Sequence, residues 1–310
     1  MRSRLREWVA LPDSVTAVKP DLKAERGNRR RAVRVALCAS LTVLLASCAG
    51  SGAGKTVTVL TPTSTEPLAH AQQSHLLTAS RKMPVTSRPL AGKIVGIDPG
   101  HNGDNYSDPA YINHPIWNGR ERETCDTTGT ETDGGYTEAT FNFNLARYLS
   151  ADLRKLGASV VLTRDTNSGV GPCVDRRAEI LNRAHVDVAI DIHADGGPPG
   201  GRGFAILEPV ADGPNDRVIS ASDRFGRDVL DHYRVLTGMP VSTYDGAGGF
   251  AKRENLAGLN LTSVPKVLIE CANMRNSIDA ARIVRDSFQR LAARALAEAI
   301  TEFLTSQAHT

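Results

Sequence analysis

His101 follows the run Lys93-Ile94-Val95-Gly96-Ile97-Asp98-Pro99-Gly100, and His193 follows Val186-Asp187-Val188-Ala189-Ile190-Asp191-Ile192. Both runs read as buried strands; the first is broken by Pro99-Gly100 and the second by Gly196-Gly197. Each presents an imidazole at the carboxyl end of a strand, where open α/β sheets place their ligand crevices. Two carboxylates join them. Glu138 opens a helical segment after the Gly134-Gly135 turn, and Glu270 ends the run Lys266-Val267-Leu268-Ile269. In a parallel sheet all four segments reach one edge. Two imidazoles and one carboxylate, with one position left open, are the protein ligands of a catalytic zinc. The remaining carboxylate would be free to take a proton from water activated at the metal.

Taken singly, each residue has a plainer role. A lone histidine is usually a surface or satisfied core residue. Glu138 suits the positive end of a helix, and Glu270 could pair with Arg164 or Arg177. The shared strand-end setting separates His101 and His193 from His70, His75, His114, His185, His232 and His309.

The elements that must position these groups are readable from periodicity. Strands are predicted over 93–97, 159–162, 186–192, 204–207 and 265–269, and helices over 138–156, 175–184, 217–236 and 279–304. Phe141, Leu145, Leu149 and Leu153 carry the helical spacing of the first helix, and Gly157 stops it. Strands alternating with helices predict one α/β domain, a mostly parallel twisted sheet with helices on both faces. Its expected extent is 91–308. Residues 102–135, rich in Asn, Asp, Thr and Gly, form a loop long enough to be functional or mobile.

The first 48 residues read differently. Residues 1–34 carry ten Lys/Arg against four Asp/Glu, so they hold +6 of the chain's net +3 and leave the body at −3. A slightly acidic body argues against nucleic-acid binding. Arg29-Arg30-Arg31 and Arg34 precede a twelve-residue apolar stretch, 35–46, too short to span a bilayer comfortably, so the segment reads as an export signal. It ends Leu45-Ala46-Ser47-Cys48, a candidate lipobox that would place a lipid anchor on Cys48. Residues 49–90, rich in Thr, Ser, Pro and Ala, read as a flexible linker. Gly50-Ser51-Gly52-Ala53-Gly54-Lys55-Thr56 imitates a phosphate loop, but Ala49 stands where its first glycine is required and no periodic helix follows. Cys125 and Cys173 lie in polar loops where an oxidising compartment permits a bridge, whereas Cys271 follows a strand and is expected to be a buried free thiol.

Residues 93–305 resemble the zinc-dependent N-acetylmuramoyl-L-alanine amidases of the amidase-3 type. The resemblance rests on Ile97-Asp98-Pro99-Gly100-His101-Asn102-Gly103, Gly135-Tyr136-Thr137-Glu138 and Val161-Leu162-Thr163-Arg164. It continues through Asp175-Arg176-Arg177, Asp191-Ile192-His193-Ala194-Asp195-Gly196-Gly197, Leu256-Ala257-Gly258-Leu259-Asn260 and Pro265 to Asn276. The separations of 37, 55 and 77 residues between the four key positions also fit. The chain looks most like the single-domain enzymes of mycobacteria and related actinobacteria.

The resemblance implies a phosphorylase/hydrolase-like α/β fold and hydrolysis of the amide between the lactyl group of N-acetylmuramic acid and L-Ala in peptidoglycan or muropeptide fragments. It implies one Zn2+ held by His101, Glu138 and His193, with Glu270 as the catalytic base, Arg164 and Arg177 in supporting positions, and a Cys125–Cys173 disulfide. A monomer is expected. The chain departs from the family at Cys271-Ala272, which replaces a commonly glycine-containing pair, and at Asp191, where the family often has Ser. The lipobox is a further departure, since many relatives are simply secreted. A zinc peptidase or deacetylase acting on wall fragments, and a non-catalytic wall-binding lipoprotein, are the competing readings.

Overall fold

The computed structural model describes residues 88–306. The expected export signal, the lipobox at Cys48 and nearly all of the linker lie outside the described residues.

Among the described residues, eight strands and seven α-helices run in chain order: β1 (Ile94–Pro99), α1 (Pro109–Ile112), β2 (Pro115–Trp117), β3 (Arg122–Thr124), α2 (Glu138–Lys155), β4 (Ser159–Leu162), α3 (Val174–Arg183) and β5 (Val188–Asp195). Then come β6 (Ala205–Pro209), α4 (Ile219–Thr237), β7 (Phe250–Arg253), α5 (Ala257–Asn260), β8 (Lys266–Asn273), α6 (Ser277–Ile283) and α7 (Asp286–Ser306). Six strands form one sheet in the order β4-β1-β5-β8-β6-β7, and β2 and β3 form a separate hairpin. The sheet is parallel except where β6 meets β8.

Period-2 alternation sorts the strand residues between two faces. Val95, Ile97, Ile190, Ile192, Val267 and Ile269 point into the main core, with α2, α4 and α7 above them. Helix α2 meets the sheet through Phe141, Leu145, Leu149 and Leu153, all fully buried. Each such side chain contributes about 1.5–3 kcal/mol by leaving water. The opposite face carries α3, through Leu181 against Ala189, and α5, through Leu259 against Leu207 and Leu268. Helices therefore cover both faces, as the alternating pattern predicts.

Several boundaries differ from the periodicity. Strand β5 continues past His193 to Asp195, and β8 continues past Glu270 to Asn273. Both side chains thus sit on paired strand rather than in loops. The expected helix over 279–304 is two helices, α6 and α7, parted at Val284-Arg285. Part of the long 102–135 loop is structured, holding α1 and the β2–β3 hairpin. No helix among the described residues is long and apolar enough to cross a membrane.

Candidate metal and hydrolase site

Strands β1, β5 and β8 lie side by side and parallel, so their carboxyl ends open at one edge. The chain leaves β1 through Gly100 and turns at His101, whose φ of 57° is left-handed. That conformation costs a non-glycine residue about 1–2 kcal/mol. The Arg177 guanidinium binds the His101 carbonyl at 2.8 Å and the ring Nδ1 lies 3.1 Å from the Thr127 carbonyl, so the turn is held from both sides. Gly100 cannot be replaced, because a Cβ there would fall 2.2 Å from the His193 ring.

Glu138 is the first residue of α2, behind the N-cap Thr137, whose hydroxyl accepts from the Thr140 amide. The helix dipole favours a carboxylate at this position. The amides of Thr130 and Ala194 donate to its two oxygens at 3.0 and 3.2 Å, and the Asn142 side chain donates at 3.4 Å. The β5–β8 register shifts between His193 and Asp195, at Ala194, whose amide is the one turned to Glu138.

The three donors converge. His101 Nε2 lies 3.2 Å from Glu138 Oε2, and His193 Nδ1 lies 2.8 Å from Glu138 Oε1. The imidazoles meet edge to face with centroids 4.8 Å apart. Donor atoms of all three residues fall within 4.8 Å of one another. Burial pulls the His101 imidazole down, but Glu138 and Asp126 overturn this and carry it up to about 9; His193 is likewise raised, by Asp191 and Glu138. A cation entering here would displace protons, as metal uptake by histidine sites does.

Glu270 stands directly across from His193 in the β5–β8 register. Its Oε2 is shielded from solvent and has no hydrogen-bond partner in the protein. Burial, reinforced by Glu138 and Asp195 and opposed by His193, pushes its carboxyl up to about 8. An orphaned carboxylate oxygen facing a His2Glu cluster fits a site built to hold a catalytic cation and handle a proton beside it. His101, His193 and Glu270 line one side of a cleft of about 450 Å³, walled by Val174, Leu207, Leu256 and Leu268, with Arg253 in its lining as well. Glu270 pairs with neither Arg164 nor Arg177. Arg164 donates to the carbonyls of Pro99, Gly100 and Ala139, so it staples the β1 turn to α2.

The resemblance named Arg164 and Arg177 as supports, but their carboxylate partners and Lys266 were not identifiable from local pattern. Asp98 accepts from Thr163 Oγ1 at 2.6 Å, Arg177 at 3.2 Å and Lys266 Nζ at 2.7 Å. Arg177 also reaches Asp126 at 3.2 Å, and Asp126 lies 3.3 Å from His101 Nδ1. Lys266 also reaches Asp191 at 3.2 Å. One signal was available: Lys266 heads an otherwise apolar strand, where a lysine must find a buried anion.

Cys125 and Cys173 are bonded, and Cys271 is free and buried. His114 lies beside that disulfide, but two oxidised sulfurs offer no thiolate, so this second cluster is no metal site. The bond ties the Asp126-Thr127 stretch behind His101 to the start of α3. Its 48-residue separation implies about 4 kcal/mol of stabilisation by loop closure. Thermal unfolding with and without reductant should show a lower midpoint for the reduced chain, and the Cys125→Ser/Cys173→Ser variant should match the reduced value.

Residues 95–302 match the family described as N-acetylmuramoyl-L-alanine amidase, amidase-3. The chain is 36% identical over 225 residues to the N-acetylmuramoyl-L-alanine amidase Rv3717 of Mycobacterium tuberculosis, an alignment covering 70% of this chain and 89% of the relative. Among solved structures it resembles the N-acetylmuramyl-L-alanine amidase Ami1 of Mycobacterium smegmatis, with 39% identity, a TM-score of 0.66 and coverage of 70% and 99% of the two chains. Ami1 of Mycobacterium abscessus is similar at 40% identity and a TM-score of 0.65, with coverage of 69% and 100%. With the edge of β1, β5 and β8 built as described and most of its length matched, the chain belongs to the amidase-3 family of N-acetylmuramoyl-L-alanine amidases.

Proposed function

We propose that this protein hydrolyses the amide joining the lactyl group of N-acetylmuramic acid to L-Ala in peptidoglycan, with zinc held by His101, Glu138 and His193 and with Glu270 as the proton carrier. The observation that carries this reading is the orphaned Glu270 Oε2 set across the sheet register from the His2Glu cluster. The family and the named relatives support the choice of bond. When bound, zinc would polarise the scissile carbonyl and acidify the attacking water.

The chain's own residues do the rest. Glu138 and the two imidazoles would hold the cation, and the amides of Thr130 and Ala194 orient the Glu138 carboxylate for it. Glu270 accepts the proton of the attacking water and returns it to the departing L-Ala amine. The products are a glycan with a free lactyl carboxylate and a peptide with a free amino terminus. The cleft's apolar wall suits the small methyl groups of such a stem.

The export signal and lipobox read from residues 1–48 support an envelope location, and the Cys125–Cys173 bond is consistent with an oxidising compartment. A lipid anchor on Cys48 would tether the domain near its substrate; incorporation of labelled fatty acid, abolished by Cys48→Ala, tests this directly.

Digestion of purified muropeptide tests the reaction. Mass spectrometry should find intact disaccharide and intact peptide, and a chelator should stop the release. Cleavage inside the peptide would point to a peptidase, loss of acetyl groups to a deacetylase, and no release with zinc present to a wall-binding protein; each would overturn the reading.

A further inference from the structure

Asp98 on β1 and Asp191 on β5 are directly opposite partners in the strand register. Like charges placed that way repel. Lys266, only 1% exposed, reaches across from β8 and bridges them, with Nζ 2.7 Å from Asp98 Oδ2 and 3.2 Å from Asp191 Oδ2. That accounts for one oxygen of Asp191. The other, Oδ1, is shielded from solvent and has no hydrogen-bond partner. Residues two apart on a strand share a face, so Asp191 and His193 stand side by side on β5. Oδ1 of Asp191 lies 3.4 Å from His193 Nε2, while the ring's other nitrogen, Nδ1, faces Glu138 at 2.8 Å.

We propose that Asp191, anchored by Lys266, is a positioning residue for His193: its Oδ1 accepts the Nε2–H of the ring and so commits Nδ1 to the metal. The inference rests on the reading of the triad as a zinc site. It gives a function to a buried oxygen that ion pairing with Lys266 leaves unused. It also gives the two histidines matching support. His101 has its second nitrogen against Asp126, which Arg177 holds; His193 has its second nitrogen against Asp191, which Lys266 holds. Both cations are tied to Asp98. One buried carboxylate thereby fixes the orientation of both rings through two parallel relays.

Carboxylates behind metal-bound histidines set the tautomer and ring angle, and removing one typically weakens metal binding 10–100-fold. Zinc affinity of the purified chain, measured by competition with a chromophoric chelator, should fall by about that factor in Asp191→Ala. Asp191→Asn keeps an oxygen able to accept from Nε2–H and should retain most of the affinity. A folded Asp191→Ala with native affinity would overturn the proposal. So would Asp191→Asn as weak as Asp191→Ala, because the residue would then serve only as a counter-charge for Lys266.

A second measurement does not depend on any variant folding. Imidazole 15N spectra of the zinc-loaded wild-type chain should show His193 protonated at Nε2; a proton on Nδ1 instead would sink the idea. Wild-type zinc uptake in the same titration reports separately on whether the triad is a zinc site at all.

Discussion

Replacing Glu270 with glutamine should reduce muropeptide turnover by at least about 10²–10⁴-fold, the range expected when a positioned acid–base group is lost. The substitution is close to isosteric, so the cleft keeps its shape. The Oε2 that changes has no partner in the protein, so no hydrogen bond of the fold is broken. Glu270 is also not among the convergent donors His101, Glu138 and His193. Zinc content, measured on the same preparation, should stay at the wild-type level while the rate collapses. Glu270→Ala should behave alike. Native turnover in either variant would show that another group carries the proton, and loss of zinc together with rate would make Glu270 a ligand instead.

The second large effect falls on the fold. Asp98 is buried between two buried cations, and Asp98→Ala removes a partner from Lys266 and from Arg177 at once. Breaking a buried ion pair from one side costs about 3–5 kcal/mol, which for a domain of this size lowers the unfolding midpoint by roughly 6–20 °C. Asp98→Asn keeps an acceptor and should cost less. Calorimetry or urea titration checks both.

The pH dependence has a definite sign. Burial alone would raise the Asp98 carboxyl, but Lys266 and then Arg177 overturn that and hold it well below the usual carboxylate range. The unfolded chain therefore takes up this proton first, near pH 3.9. The stabilisation is complete above that value and is lost as pH falls through it towards the folded value. The stability gap between wild type and Asp98→Asn should be widest near neutrality and close in acid. A gap that widened on acidification would contradict the network as described.

The four residues of the proposed site were legible in the sequence for a simple reason. His101, His193 and Glu270 adjoin strong apolar runs, and Glu138 opens a strongly periodic helix, so local pattern alone put them at one sheet edge. Of their supports, Arg164 and Arg177 came only from the resemblance, and the others were hidden because they act over distance. Asp98 and Lys266 are 168 residues apart, and nothing near either residue announces the other. Asp126 lay inside a polar loop that looked like any other. Strand β7, four residues after a glycine-rich turn, and α5, four residues long, are too short to show a period. The break between α6 and α7 has no proline or glycine to mark it, so the helical spacing runs through it unbroken. Asp191 was visible only as a departure from the family; its contact with Lys266 is made far along the chain.

The pairing of His193 with Glu270 across β5 and β8 acts as a ruler. Neighbouring strands are about 4.8 Å apart because that is the length of a backbone hydrogen-bonded step. The gap between His193 and Glu270, the metal ligand and proton carrier of the proposed reaction, is therefore set by the main chain, not by any loop. Leu207 and Leu268 of the sheet form part of the cleft wall, but the rest comes from the hairpin segment, the start of α3 and the turn before α5. Insertions or exchanges in those loop-borne parts can reshape the cleft while the spacing of His193 and Glu270 stays untouched.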